Sequence, residues 1–320
     1  METNLIQQSS STQSWTNKDF IELISVHDNK SKLKTYQQVR SELFQKAPPK
    51  AVIVYTHGMG SYVDKLCYIA KIFAENGYDF VGYDSLGFGY SEGERGVINS
   101  IEDYFEDAYQ FTLKVINYYQ DLYSESPAAI QFINYGYSLG VRVSIAVQRL
   151  YKLRYSQNLF SVFLWQSPYF DLKIKDPEYL AFLEETCLTE PSKIVLRQNT
   201  ETQIPQKNSD EKDQKIYVAD PIAQYGPYQA KTELMFMKKI EYLVEYYKEI
   251  DVPIFVAFAN QDQAVDNDDA AQMIKTFKTP REQIESNFYE SEHNILWAGR
   301  DVYKQIVSDQ LAFLDRVLQK

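Results

Sequence analysis

Three histidines, a serine set between two glycines where a strand candidate meets a helix candidate, and a few acids beyond a strand carry the chemistry this chain could perform. A serine hydroxyl is a poor nucleophile until a base removes its proton. The usual base is a histidine whose ring is oriented by a carboxylate. Gly136-Tyr137-Ser138-Leu139-Gly140 reads G-x-S-x-G. In that pattern a strand turns sharply into a helix and holds the serine in a strained, exposed pose. The flanks agree, because Ala129 to Tyr135 reads as a strand and Val141 to Val147 leads into a helix. Ser138 is the candidate nucleophile.

The base must be His27, His57 or His293. His27 falls in a turn near the start of the chain. His57 ends a strand and opens His57-Gly58-Met59-Gly60. His293 follows the last strand, in Glu290-Ser291-Glu292-His293-Asn294-Ile295. In doubly wound sheets, sites gather beyond the carboxyl ends of the strands. A lone loop histidine is as often simply solvated, but with the elbow serine upstream His293 becomes the candidate base. Asp262 is the first carboxylate after the strand ending near Ala259, so it is the candidate orienting acid. Asp266, Asp268 and Asp269 compete, although acids favour the first turn of a helix on electrostatic grounds alone. An oxyanion needs main-chain donors. The N–H of Leu139, next to the serine, and that of Met59 are the candidates. His57 is then a structural residue of the Met59 loop; as the base it would stand in the wrong chain order.

The elements that must hold these residues alternate. Apolar runs at 51–55, 78–83, 129–135, 159–165 and 253–259, with another strand near 286–289, read as strands. Helical patterns lie at 63–75, ending at Asn76-Gly77, at 101–119, after the elbow, from about 267 and at 301–318. Residues 20–26 and 32–36 look like two further strands around a turn. This rhythm predicts an α/β fold: a mostly parallel central sheet with helices on both faces. It breaks over 168–250, which holds helical pieces, a charged stretch at 206–213 and no clear strand. The expected organisation is a loose tail at 1–16, a core from 17–167 and 251–320, and a cap inserted at 168–250.

Composition narrows the partners. A formal net charge of −11 disfavours nucleic acid and anionic membrane surfaces as bulk partners. Cys67 and Cys187 match no metal spacing and no disulfide framework. The first twenty residues lack the basic region and apolar core of a secretory leader, and no run reaches transmembrane length. The expectation is a soluble, cytoplasmic protein that needs no cofactor or metal.

Beyond the elbow, Gly87-Phe88-Gly89-Tyr90-Ser91-Glu92-Gly93-Glu94-Arg95 resembles the G-x-G-x-S-E-G-x-R signature of the monoacylglycerol lipase and serine-aminopeptidase-like branch of the α/β-hydrolases. Asp220-Pro221-Ile222 and the N-x-D-x-x-V string at Asp262 are similar too. The resemblance runs from about residue 20 to the C-terminus. It implies an α/β-hydrolase fold, a cap over an apolar slot, and fatty acyl esters as substrates. Met235, Met237, Ile240, Leu243, Val244 and Tyr247 could line that slot, or could simply pack at helical spacing. Val141 and Arg142 depart from the branch, where the residue after the elbow's last glycine is usually small. Phe88 and Tyr137 stand where the branch often has histidine. The leading expectation is ester hydrolysis through Ser138, His293 and Asp262. Amide or peptide cleavage by the same residues, and a non-catalytic binding or assembly role, are the alternatives. A dehalogenase or epoxide hydrolase is disfavoured, because those place a carboxylate at the elbow.

Overall fold

The computed structural model describes residues 19–40, 47–125, 130–173, 176–195, 220–296 and 301–318. The expected tail at 1–16 and the charged stretch at 206–213 lie outside them. Nine strands occur among the described residues: β1 (Thr35–Gln38), β2 (Val52–Thr56), β3 (Asp79–Tyr83), β4 (Phe132–Tyr137), β5 (Val162–Gln166), β6 (Ile194–Val195), β7 (Tyr228–Gln229), β8 (Ile254–Ala259) and β9 (Ile284–Tyr289). Seven form one sheet in the order β1-β3-β2-β4-β5-β8-β9. Within it β1 runs antiparallel to β3, and every other pairing is parallel.

Alternation along these strands builds two apolar layers. Val52 and Val54, Phe163 and Trp165, and Ile254 and Val256 face one layer. Ile53 and Tyr55, Val162 and Leu164, and Phe255 and Ala257 face the other. The eight described α-helices are α1 (Cys67–Glu75), α2 (Ile101–Leu122), α3 (Leu139–Tyr155), α4 (Pro177–Thr189), α5 (Ala230–Met237), α6 (Glu241–Tyr247), α7 (Asn267–Ile274) and α8 (Val302–Val317). α2, α3 and α7 cover the first layer; α1 and α8 cover the second. α2 starts where Ser100 accepts from the Asp103 N–H at 3.1 Å and buries the expected stripe, including Tyr104, Phe111, Val115 and Tyr119. Helices on both faces of a mostly parallel sheet are the α/β arrangement that the rhythm predicts.

Two expectations need correction. Residues 20–26 and 32–36 do not form a pair of strands. Only an isolated bridge joins Ile24 to Lys32, and the strand proper is Thr35–Gln38. Two main-chain bonds make that bridge, Ser25 N–H to Ser31 at 2.9 Å and Leu33 N–H to Leu23 at 3.0 Å, and Asp107 of α2 adds to them by taking the Ser25 hydroxyl and the Val26 N–H, each at 2.7 Å. The second correction concerns 168–250. This segment carries α4, α5 and α6, and also the short antiparallel pair β6 and β7. Two-residue strands are too short to show a period in sequence.

At the junction of β4 and α3 the start of the helix lies close against the main chain at the end of β2. A Cβ on Gly140 would lie 1.9 Å from the Thr56 carbonyl oxygen and 3.0 Å from that of His57. Both are main-chain atoms of or next to β2, and the Thr56 hydroxyl also donates to the Gly140 carbonyl at 2.8 Å. Val141 is fully buried against Gly136, a strand residue with no side chain to oppose it. Gly140→Ala is expected to cost about 2 kcal/mol or more, because backbone must move to admit the methyl. Urea unfolding would report a lower midpoint at unchanged slope; an unchanged midpoint would mean the approach is looser than described.

Candidate active site

Ser138 has φ 51° and ψ −119°. A side-chain residue rarely adopts such a backbone, which costs about 1–3 kcal/mol and must be held by its surroundings. The Ser138 N–H donates to Gln166 at 3.0 Å, and the Ser138 carbonyl accepts from Val141 at 3.0 Å and Tyr169 at 3.3 Å. The side chain therefore stands at the carboxyl end of the sheet, between strand and helix.

His293 and Asp262 come to it from the loops after β9 and β8. His293 Nε2 lies 3.0 Å from Ser138 Oγ, and His293 Nδ1 lies 2.7 Å from Asp262 Oδ2. A carboxylate only accepts, so Nδ1 carries the ring proton and Nε2 keeps its lone pair toward the serine O–H. The other oxygen, Asp262 Oδ1, accepts from the N–H groups of Ala264 at 2.8 Å and Val265 at 3.0 Å. Asp262 is buried and His293 is partly open. An ion of this kind, fixed by two main-chain donors, holds the ring and would stabilise it when protonated. The competing acids serve elsewhere. Asp266 caps α7 by accepting from Asp268 and Asp269, which occupy its first turn.

The Met59 loop lies against the elbow. A Cβ on Gly58 would stand 3.2 Å from the Ser138 Cβ. Met59 is the next residue, and Leu139 opens α3 directly after the serine. The first N–H groups of a helix have no partner within it, which suits Leu139 to an anionic oxygen. His57 holds this loop from behind. Its Nδ1–H donates to the Gly58 carbonyl at 2.8 Å, and its Nε2 accepts from the Ser85 N–H at 3.0 Å. Burial without a counter-charge pushes this ring down from its ordinary 6.5 to about 4. His27 instead pairs with Asp103 at the start of α2.

The Gly87–Arg95 signature is a dock. Asp84 accepts from the N–H of Val63 at 2.7 Å and of Tyr90 at 2.8 Å, joining the two loops. Arg95 donates to the carbonyls of Gly89 and Ile222, each at 2.7 Å. Glu94 accepts from Gln229 at 2.6 Å, and the Ile98 N–H donates to Thr232 at 2.9 Å. Asp220 pairs with Lys65 at 3.1 Å and accepts from Tyr62 at 3.1 Å. The segment between β5 and β8 is thus fastened beside the Met59 loop, where the Gln224 N–H reaches the Gly60 carbonyl at 2.8 Å.

Two positioning groups escaped the sequence reading. The Ser167 hydroxyl donates to the His293 carbonyl at 2.9 Å, and the Tyr137 hydroxyl donates to it at 3.3 Å. The signal for Ser167 was its place just past β5, the strand beside the elbow strand. Among the described residues, no group of three or more His, Cys, Asp or Glu side chains could hold a metal ion, and no helix is long and apolar enough to cross a membrane.

The buried neutral His57 makes stability depend on pH. Between pH 6.5 and about 4 the unfolded chain binds a proton that the folded ring does not. Its contribution is therefore complete above pH 6.5 and is lost as pH falls toward 4, by up to about 3 kcal/mol. Urea unfolding of the protein and of His57→Gln at pH 7.5 and 4.5 checks this, since both share every other titrating group. The difference between them should shrink at the lower pH; parallel losses would contradict the assignment.

The sequence profile of a family described as serine aminopeptidase, S33, matches residues 47–296. No curated protein matches the chain. Among solved structures, a soluble variant of monoglyceride lipase from Saccharomyces cerevisiae shares the fold with a TM-score of 0.74 at 15% identity, covering 96% of this chain and 97% of that one. A thermostable carboxyl esterase from Bacillus coagulans gives 0.72 at 14% identity, covering 96% of this chain and 100% of its own. A monoacylglycerol lipase from Paleococcus ferrophilus gives 0.62 at 15%, covering 90% and 98%. With a profile that spans most of its length, a doubly covered parallel sheet and a serine elbow at its carboxyl end, the chain belongs to the serine aminopeptidase S33 family of α/β-hydrolases.

Proposed function

We propose that this protein is a serine hydrolase that cleaves carboxylic esters through an acyl-enzyme. The observation that carries the reading is the continuous relay from Asp262 to His293 at 2.7 Å and from His293 to Ser138 at 3.0 Å. Ser138 attacks the acyl carbon while His293 takes its proton. Asp262 keeps the ring in the tautomer that accepts, and stabilises the imidazolium. The N–H groups of Leu139 and Met59 receive the oxyanion. His293 then passes its proton to the leaving alcohol. Water, activated by the same ring, releases the acyl group.

Residues 168–250 act as a cap over this site on our reading, since β7 docks on Glu94 of the Gly87–Arg95 loop and α5 on Ile98 and Asn99 just beyond it. Met235, Met237, Ile240 and Val244 pack against the main core as partly buried residues, an arrangement that suits an adaptable acyl slot. The substrate class we assign is a single-chain acyl ester of the monoacylglycerol or lysophospholipid type. Folds shared with a monoglyceride lipase and a carboxyl esterase support it. The free thiols Cys67 and Cys187 suit a reducing, cytoplasmic setting. The description of the family as serine aminopeptidase favours one second reading, amide or peptide cleavage by the same residues.

Turnover of p-nitrophenyl acyl esters and monoacylglycerols, set beside aminoacyl anilides, separates the two. Esters should be cleaved and anilides left nearly untouched. Ser138→Ala should lower ester kcat by at least about 10⁴-fold. Anilide cleavage without ester cleavage would move the assignment to the amide reading. A well-folded protein inert to both classes would leave a binding or assembly role.

A further inference from the structure

The seven residues from Ser167 to Lys173, which lead from β5 into the cap, touch every member of the relay. The Ser167 hydroxyl donates to the His293 carbonyl at 2.9 Å. The Tyr169 N–H donates to the carbonyl of Ser138 at 3.3 Å. Leu172 bridges Val265, the Lys173 N–H reaches Ala264 at 3.1 Å, and Lys173 Nζ donates to the Asp262 carbonyl at 2.6 Å. This brace is bound in turn to the far leg of the cap, residues 236–239. The Tyr169 ring stacks on Phe236 with centroids 4.6 Å apart, and its hydroxyl donates to the Phe236 carbonyl at 2.6 Å. Asp171 pairs with Lys239 at 3.1 Å.

Arg142 locks the two together. It stands on α3, one turn after Ser138, and only 2% of it is exposed. Its guanidinium lies over the Tyr169 ring, 3.9 Å from the centroid. Nη2 donates to the Phe170 carbonyl at 2.7 Å, and Nη1 to those of Lys238 at 3.2 Å and Phe236 at 3.4 Å. A buried cation depends heavily on such acceptors. Two of these three belong to the cap leg, at the end of α5 where helix carbonyls lack helical partners. Withdrawing the leg would strip them from a charge that cannot reach water.

We propose that Arg142 and Tyr169 are positioning residues that couple the seating of the cap to the alignment of Ser138, His293 and Asp262; the role rests on the hydrolase reading above. The cap thereby sets the rate of chemistry as well as the shape of the slot. Seated, it completes the shell of Arg142, and the brace holds all three members of the relay. Lifted, it loosens the Tyr169 contact to the Ser138 carbonyl and the anchorage of the Asp262 loop.

The test uses p-nitrophenyl acetate, whose acyl group is too short to fill a cap slot, with kcat expressed per titrated serine. Arg142→Met keeps the apolar stem and should lower kcat roughly tenfold to a hundredfold, with KM held within about threefold, as a slightly misplaced nucleophile does. Arg142→Lys should recover part of the loss, because an ammonium lacks the planar fork. Tyr169→Phe, which removes one hydroxyl, should show a smaller fall of the same kind. Unchanged kcat in the folded variants, or a change confined to KM for long acyl esters, would overturn the coupling. Should Arg142→Met fail to fold, the other two variants decide. Hydrogen exchange gives a readout independent of turnover. In Arg142→Lys, amides of 236–239 and of 169–173 should quicken together; a change at 236–239 alone would overturn the proposal. A parent protein that turns over no ester would instead overturn the hydrolase reading, leaving the exchange result to judge the latch.

Discussion

The close approach of α3 to β2 is the constraint on which the site depends. Ser138 can hold a left-handed backbone only because Gly140, two residues on, lets the helix start against the carbonyls of Thr56 and His57. Fully buried neighbours on both faces of the sheet supply the free energy that offsets this strain. Move that helix outward by the width of a methyl group and the serine swings away from His293. The 3.0 Å contact between them is thus a consequence of packing at the sheet centre.

From that junction the remaining parts follow from strand order. β2, β4, β5 and β8 are neighbours, and their carboxyl ends bring forward the Met59 loop, the elbow, the brace and the Asp262 loop side by side. β9, next to β8, delivers His293. Two buried groups with opposite demands hold this end in place. His57 stays neutral and uses both ring nitrogens on main-chain partners. Arg142 stays cationic by nature and is satisfied by carbonyls and an aromatic face. The first fixes the Met59 loop; the second joins α3 to the carbonyls of Phe170, Phe236 and Lys238.

Much of this was legible in the chain because it depends on local pattern. Alternating apolar runs mark the central strands, since each is buried on both faces. Gly136, Ser138 and Gly140 mark the elbow, since no other residue fits at the last of these. Scarcity helped as well: with three histidines, the loop after the last strand and chain order together single out His293, and it lies beside Ser138 and Asp262. What escaped was held by long-range partners. The stretch 20–26 has strand-like composition and makes one bridge, Ile24 to Lys32; beyond that bridge it is held by Asp107, 82 residues from Ser25 and 81 from Val26. Ser167, Tyr169 and Arg142 act on main-chain carbonyls, and a carbonyl carries no side-chain signature. Arg142 stood out only as a misfit next to the elbow, and its acceptors lie 28 to 96 residues further on. Between β5 and β8 the helical pieces were legible and the strands β6 and β7 were not, because two residues leave too little period to detect.

Covalent capture of Ser138 tests whether Asp262 and His293, as proposed above, make it a nucleophile. The protein would be treated with an alkyl fluorophosphonate, and the modified residue mapped by mass spectrometry of its peptides. One adduct is expected, on Ser138, formed quickly in the parent protein and roughly a thousandfold more slowly in His293→Ala, where no base remains to take the proton. Labelling of a different residue, or equal rates in the two proteins, would contradict it.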